Sequence, residues 1–385
     1  MDHQKNTSSL LSKLFRFVQT FVMAVLSVTV SVAILIAIAS GTNFAGNGVK
    51  QSRLDGNLME KFDNYITNMT SVALDGIIQV KKVYKLSDAN LIAPEPNQDN
   101  FGTTEDPSSL QSLINKVYQR LEDKNLFFSS KLEILEGSQV HYYVDDTIFA
   151  FTWKQPLHGV IYTFSEIKIE DPSQFRRFLA DGQFGSEKQY LTSQMATSVN
   201  AVVASAGDFY KYRPTGLLVY QNQIERFNGT SLDSCFIDVN GDLLFSKAGE
   251  LTNAEELRAY VDKNRVRFSL CFGPILIEDG KSCVPRSYPI GEIGGNYSRA
   301  ALCQLGPLHY LLVTVNDEPG YPYFPTLYSF ADALIELGIE RAYTLDGGQT
   351  ATIVMNDQVI NRVSYGAERY ISDIIYFATA IPDKK

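Results

Sequence analysis

The sequence predicts an α+β fold: a strand-dominated mixed-sheet domain with a few helices, preceded by an N-terminal transmembrane helix and a helical stalk. Three observations carry that expectation. From about residue 139 onward short β-prone runs are punctuated by Gly, Asn and Asp; only two helical stretches interrupt them; and a charge-free apolar run stands near the N-terminus.

The apolar run comes first. Phe17 to Ile38 reads FVQTFVMAVLSVTVSVAILIAI, long enough as a helix to cross a hydrocarbon core of roughly 30 Å. Lys5, Lys13 and Arg16 precede it, and a basic flank stays cytoplasmic, so the rest of the chain is expected outside the membrane. Ala37 and Ala39 also form an A-x-A sequence, which keeps a cleaved signal as the alternative to an anchor. Residues 1–45 are therefore read as cytoplasmic tail and single-pass anchor. Leu54 to Tyr84 has helical apolar spacing, Ala93 to Ser109 has the Pro/Asn/Asp/Ser content of a linker, and Leu110 to Asn125 returns to helical spacing with Ser108 or Ser109 as cap. Residues 46–135 are read as stalk and linker, with packing of these helices onto the following domain as the alternative.

Residues 136–385 form the expected strand-dominated domain. The strand-like runs are VHYYV, GVIYTFSEIKIE, AVVASAGDFY, GLLVYQNQIERF, SCFIDVNGDLLFS, RFSLCFGPILIEDGK and LHYLLVTVND, with VNGD and EDGK as tight turns. AEELRAYVDKN after Thr252 and SFADALIELG, closed by Gly338, are the helices. RAYTLDGGQTATIVMNDQVINRV then reads as strand, glycine turn, strand, turn at MNDQ and strand.

Composition narrows the function. Lys and Arg number 34 against 43 Asp and Glu, a net charge of -9, which argues against a broad nucleic-acid surface because phosphate recognition leaves a basic excess. The 21 Tyr and 23 Phe against one Trp suit both a β-rich core and carbohydrate faces. Cys235, Cys271, Cys283 and Cys303 lack the spacing of a zinc site. Cys271 and Cys283 flank a plausible hairpin, so one bridge or buried free thiols both fit. His3, His141, His158 and His309 are scattered and support neither a metal centre nor a Ser-His-Asp triad.

The stretch LDGGQTATIV is the main candidate for chemistry. Asp346 ends an apolar run, and Gly347 and Gly348 permit close backbone approach to a ligand, although a hairpin turn uses the same residues. Arg299 in GGNYSRAAL and Arg369 in GAERYISD each precede a strand, and a guanidinium fork fits phosphate oxygens; a surface ion pair is the plainer reading of Arg369. SAGDFYKYRPTG adds Asp208, Phe209, Tyr210 and Arg213.

The order of these elements resembles the phosphodiester glycosidase family: AGDFY at 206–210, GPILIEDG at 273–280, SRAAL at 298–302, VND at 315–317, TLYSFADALIELG at 326–338, LDGGQTATIV, and INR at 360–362. The resemblance covers roughly the C-terminal two-thirds of the chain. Three departures stand out: Ala206 replaces an asparagine, VNDE replaces V-D-G-R, and Gln349 and Thr350 replace a glycine and a serine.

The resemblance implies an extracytoplasmic bacterial hydrolase removing a sugar, N-acetylglucosamine-like, from a sugar-1-phosphodiester of wall or exopolysaccharide material. It needs no cofactor or metal. Asp346, Arg299 and Asp208 become the catalytic candidates, and Gly207, Tyr210, Gly347, Gly348, Thr350, Asn361 and Arg369 the substrate-binding ones. The chemistry suits them: the leaving phosphomonoester has a second pKa of about 6 and needs little acid assistance. It needs a cation for the developing phosphate charge and a carboxylate for an oxocarbenium-like centre or for water. Two other readings stay open, a noncatalytic glycan-binding protein on the same fold and a metal-dependent phosphodiesterase built on Asp208, Asp346 and Asn361.

Overall fold

The computed structural model describes residues 85–88, 90–106, 110, 113, 127, 133–289 and 293–381. The apolar run Phe17 to Ile38, the stretch Leu54 to Tyr84 and most of Leu110 to Asn125 lie outside the described residues. Among those described, no helix is long and apolar enough to cross a membrane.

Strands dominate. In chain order they are β1 (Phe101–Thr104), β2 (Val140–Val144), β3 (Ile148–Leu157), β4 (Val160–Ile169) and β5 (Phe175–Leu179), then helix α1 (Thr192–Ser198). β6 (Val203–Ala206), β7 (Gly216–Tyr220), β8 (Gln223–Asn228), β9 (Ser234–Asp238) and β10 (Leu243–Ser246) lead to α2 (Ala254–Asn264). β11 (Val266–Leu270), β12 (Ile275–Glu278), β13 (Lys281–Ser282), β14 (Arg299–Gly306) and β15 (His309–Asn316) lead to α3 (Leu327–Glu336). β16 (Ala342–Leu345), β17 (Ile353–Met355), β18 (Gln358–Val359) and β19 (Asp373–Phe377) close the chain.

The largest sheet has nine strands in the order β1-β2-β3-β4-β15-β14-β16-β12-β13, and a second has five, β18-β17-β6-β19-β5. The β14–β15, β14–β16 and β15–β4 ladders at the centre of the large sheet are antiparallel. Alternation sets the two cores. Phe149, Phe151 and Trp153 of β3 share one cluster with Phe164, Val313, Phe330 and Leu334, so α3 covers that face. Ile148 and Ala150 point the other way, into a cluster with Phe175, Tyr310, Ile353 and Phe377 of both sheets.

Both helices expected from the sequence form. Asn253, one residue beyond Thr252, caps α2 by accepting from Glu255 N (3.1 Å) and Glu256 N (2.9 Å). Thr326 caps α3 through Ser329 N at 3.1 Å. The turns VNGD, EDGK and MNDQ join β9–β10, β12–β13 and β17–β18 as antiparallel pairs.

The stretch Ala93 to Ser109 has the composition of a linker but is not free chain where it is described. β1 within it pairs with β2, from Phe101↔Tyr143 to Thr104↔Val140. Ala93 N donates to Val199 O at 3.1 Å, and Leu86 N to Ser173 Oγ at 2.8 Å. Leu86, Ala93, Leu110 and Phe127 are all buried. All four cysteines are free, so the alternative bridge between Cys271 and Cys283 is not formed; Cys271 is buried against Gly216, while Cys283 is half-buried beyond β13.

Candidate active site

Two neighbouring strands build the site. β14 and β16 pair with Ala300 opposite Leu345, which brings Arg299, at the start of one, and Asp346, just past the end of the other, to the same edge of the sheet. The glycines after Asp346 are required by close approach. A Cβ on Gly347 would stand 2.5 Å from Ser298 O, and Gly348, at φ +65°, donates its N–H to that same carbonyl at 3.0 Å. Thr350 Oγ1 closes the turn on Gly347 O at 2.6 Å. Thr350 is thus buried beneath the turn, its hydroxyl used internally.

Arg299, Asp346, Gly347 and Gly348 line one cleft of about 280 Å³ together with Tyr297 and Phe272. Asp346 is nearly buried, and burial pushes its carboxyl up to about 6, against the opposing pull of Arg369 and Thr350. Arg369 Nη2 donates to Asp346 Oδ2 at 2.7 Å. The Arg369 guanidinium lies 5.3 Å from the ring of Phe209 and 5.5 Å from that of Tyr212, rings stacked on each other at 4.7 Å. Arg369 is therefore the counter-ion of the cleft carboxylate. Arg299 donates to Gly295 O at 2.6 Å and lies 5.4 Å over the ring of Tyr297. Burial lowers its pKa to about 10, which leaves it a cation at neutral pH.

The AGDFY residues are placed differently. Asp208 is fully buried: its Oδ1 accepts from Phe209 N at 2.7 Å, its Oδ2 from Cys271 N at 2.6 Å, and Arg177 Nη2 stands 3.7 Å from Oδ2. Arg177 donates through Nε to Asp373 Oδ2 at 2.8 Å, and Asp373 in turn accepts from Asp208 N at 3.1 Å. Two carboxylates thus share one guanidinium. Burial works against the Arg177 charge, but Asp373 and Asp208 outweigh it and hold its pKa above the ordinary value. Gly207 lacks a side chain because the Asp373 carboxylate occupies that space. Tyr210 is buried with its ring 5.5 Å from the Arg177 guanidinium. These residues brace the cleft from behind.

Asn361 also sits behind the turn. Its Nδ2 donates to Asn316 Oδ1 and Ala351 O, each at 2.7 Å, and its Oδ1 accepts from Ile353 N at 2.7 Å. Asn316 reaches on to Ser298 Oγ at 3.1 Å, so VND and INR lock the backbone on both sides of the glycine turn. Asp317 pairs with Arg362 at 3.5 Å. The side-chain oxygens of Asp208 and Asn361 accept from backbone N–H groups of Phe209, Cys271 and Ile353, and among the described residues no group of three or more His, Cys, Asp or Glu is placed to hold a metal ion.

Sequence reasoning missed Arg177 and Asp373. The signal was present: FRRFL and SDIIYF place charged residues inside apolar runs, and a charge in a buried strand demands a partner. A larger hollow of about 700 Å³ lies elsewhere, beside Asp242, Gln304 and Arg341. Within it Gln304 Nε2 donates to Asp242 Oδ1 at 2.7 Å, and Arg341 Nη1 donates to Leu243 O at 3.0 Å.

Residues 198–378 match the family model described as phosphodiester glycosidase, as the order of motifs predicts. Among solved structures, the catalytic domain of zebrafish N-acetylglucosamine-1-phosphodiester alpha-N-acetylglucosaminidase, auto-inhibited by its pro-peptide, is 17% identical with a TM-score of 0.48; the match covers 60% of this chain and 83% of that one. A hypothetical protein from Synechocystis is 14% identical with a TM-score of 0.45, covering 63% of this chain and 64% of that one. No curated protein matches.

Proposed function

We propose that this chain hydrolyses a sugar-1-phosphodiester, breaking the bond between the anomeric carbon and the phosphate oxygen and releasing a free sugar and a phosphomonoester. The observation that carries the reading is the convergence of Arg299 and Asp346 in one cleft, within the span that matches the phosphodiester glycosidase family. Arg299 receives the phosphate, whose charge grows as the bond breaks. Asp346, titrating near 6, is ionised at neutral pH; it stabilises the oxocarbenium-like carbon or takes the proton of the attacking water. Arg369 keeps that carboxylate ionised and oriented.

The sugar we propose is N-acetylglucosamine-like, in bacterial wall or exopolysaccharide material. The apolar run Phe17 to Ile38 with its basic flank supports a membrane-anchored, extracytoplasmic enzyme. Incubating the purified protein with an α-N-acetylglucosamine-1-phosphodiester tests the activity: free sugar and phosphomonoester in equal amounts are expected. Saturable binding without turnover would favour the noncatalytic reading instead. That reading draws on Gln349, whose amide is turned to Ala367 O at 3.3 Å, and on the buried Ala206.

A further inference from the structure

Arg213 stands against the wall of the cleft that Phe272, Gly273 and Pro274 form. Its Nη2 donates to Cys271 O at 2.9 Å, and its guanidinium lies 5.5 Å from the centre of the Phe272 ring. Cys271 is held on its other side too, since its N donates to Asp208 Oδ2 at 2.6 Å. The wall is thus fixed at its root by one carboxylate and one guanidinium. Phe272 meets Phe209 edge-on with ring centres 6.4 Å apart, and Phe209 carries the Arg369 guanidinium that pairs with Asp346. Arg213 and Arg369 therefore flank one aromatic group beside the same carboxylate.

The backbone holds Arg213 in place. Arg226 Nη1 donates to Tyr210 O at 2.7 Å and Arg213 O at 3.0 Å, and its Nη2 to Thr215 O at 2.9 Å. The guanidinium so placed is underused: Nε and Nη1 are buried and have no hydrogen-bond partner. Buried donors without acceptors are destabilising, and an apolar side chain of similar length would cover Phe272 without that cost. Packing and hydrogen bonding do not account for an arginine here; its charge does. The carboxyl that feels this charge is Asp346: burial raises its pKa, Arg369 and Thr350 lower it, Asp208 raises it and Arg213 lowers it. Arg299 borders the same cleft.

We infer that Arg213 is a positioning residue of the proposed reaction, which fixes the Phe272 wall of the cleft and supplies across it a second positive charge that keeps Asp346 ionised, without itself touching the substrate. The inference rests on the reading of Asp346 as the working carboxylate.

The test compares the full-length parent, Arg213→Met and Arg213→Lys on the methyl diester of N-acetylglucosamine-1-phosphate, with kcat/KM followed from about pH 5 to about pH 8. The parent's acid limb should fall near 6. Arg213→Met should move that limb to higher pH by roughly half a unit or more, because a lost positive charge makes the carboxyl easier to protonate. Arg213→Lys keeps the charge and should return the limb to the parent's position. A limb that Arg213→Met leaves in place overturns the inference whatever happens to kcat, and so does one that the Met and Lys variants move alike. Arg213→Gln, which retains a donor for Cys271 O, replaces Arg213→Met if the Met protein does not fold. If the parent does not cleave the diester, the hydrolase reading fails and the charge is judged without turnover, by carbon-13 NMR titration of the Asp346 carboxyl, identified as the signal absent from Asp346→Asn. An apparent pKa that rises in the neutral variant and returns in Arg213→Lys sustains the role of the charge, and one value for all the proteins overturns it.

Discussion

The cleft at Asp346 and the buried cluster at Arg177 use the same two residue types for opposite ends. Arg177, Asp208 and Asp373 have no exposed side-chain surface, and the oxygens of Asp208 are taken up by two backbone N–H groups. Asp346 keeps one arginine partner, 2.7 Å away and about a third exposed, and faces a hollow with room for a ligand. A fully buried charge cluster stabilises one geometry, since breaking it strands a charge in low dielectric. A carboxylate that borders a cleft, held by Arg369 and Thr350 and lifted to about 6 by burial, retains capacity for a reacting group. The difference lies in access to the cleft, not in residue identity.

Substitution breaks the comparison most sharply at Asp346. Asp346→Asn is expected to lower kcat by about 10³-fold on a cleaved sugar-1-phosphodiester, with a circular-dichroism spectrum and cooperative unfolding like the parent's. An intact kcat would move Asp346 to the structural side of the comparison. The mirror experiment is Arg177→Met, which strands two buried carboxylates and should cost about 3–5 kcal/mol in urea unfolding. The protein that remains folded should keep its kcat, and a selective loss of kcat without loss of stability would place Arg177 with the cleft. Arg299→Lys preserves the charge but loses the fork, and about 100-fold in kcat/KM is expected from steady-state kinetics, with unfolding unchanged.

The smallest effect sharpens the contrast through pH. If ionised Asp346 is the working form, kcat/KM should rise about tenfold from pH 5 to 7 and level off above the carboxyl's pKa of about 6. Stability moves the other way. The folded carboxyl binds its proton more tightly than the unfolded one at 3.8, so its contribution is fully present below 3.8 and is lost as pH rises through 6. Asp346→Asn removes that term. Its stability relative to the parent should therefore improve between pH 4 and pH 7, and an unchanged difference across that range would mean the carboxyl is not held near 6.

Much of the fold was legible because turns and half-covered strands leave local marks. VNGD, EDGK and MNDQ were readable as hairpins from residues that tolerate tight turns, and α3 from its spacing and its closing Gly338. The β3 run IFAFTWKQPL left no such mark: both of its faces are covered by core, so it lacks the apolar-polar alternation that identifies a strand with one wet face. β5 was hidden in the same way; β19 was legible as the strand after Arg369, but the pairing of its Asp373 with Arg177 of β5 was not. Ala93 to Ser109 reads as linker by composition, yet β1 sits within it because an edge strand needs only backbone pairing with β2.

The sequence by itself determined the strand-rich class, the two longer helices, the match of residues 198–378 to the phosphodiester glycosidase model and the glycine turn after Asp346. Each is written locally, in periodicity, in glycines and in the order of short motifs. Only the tertiary structure decided which charges border a cleft and which are buried against one another. Asp208 and Asp346 look alike as residues ending β-prone runs, and Arg177, Arg299 and Arg369 alike as arginines near strands. Their roles separate when β14 pairs with β16 and Arg299 meets Asp346 at one edge, while β5, β19 and the end of β6 close over Arg177, Asp208 and Asp373. Burial and pairing depend on residues far apart in the chain, and they set whether a carboxylate is enclosed or borders a cleft.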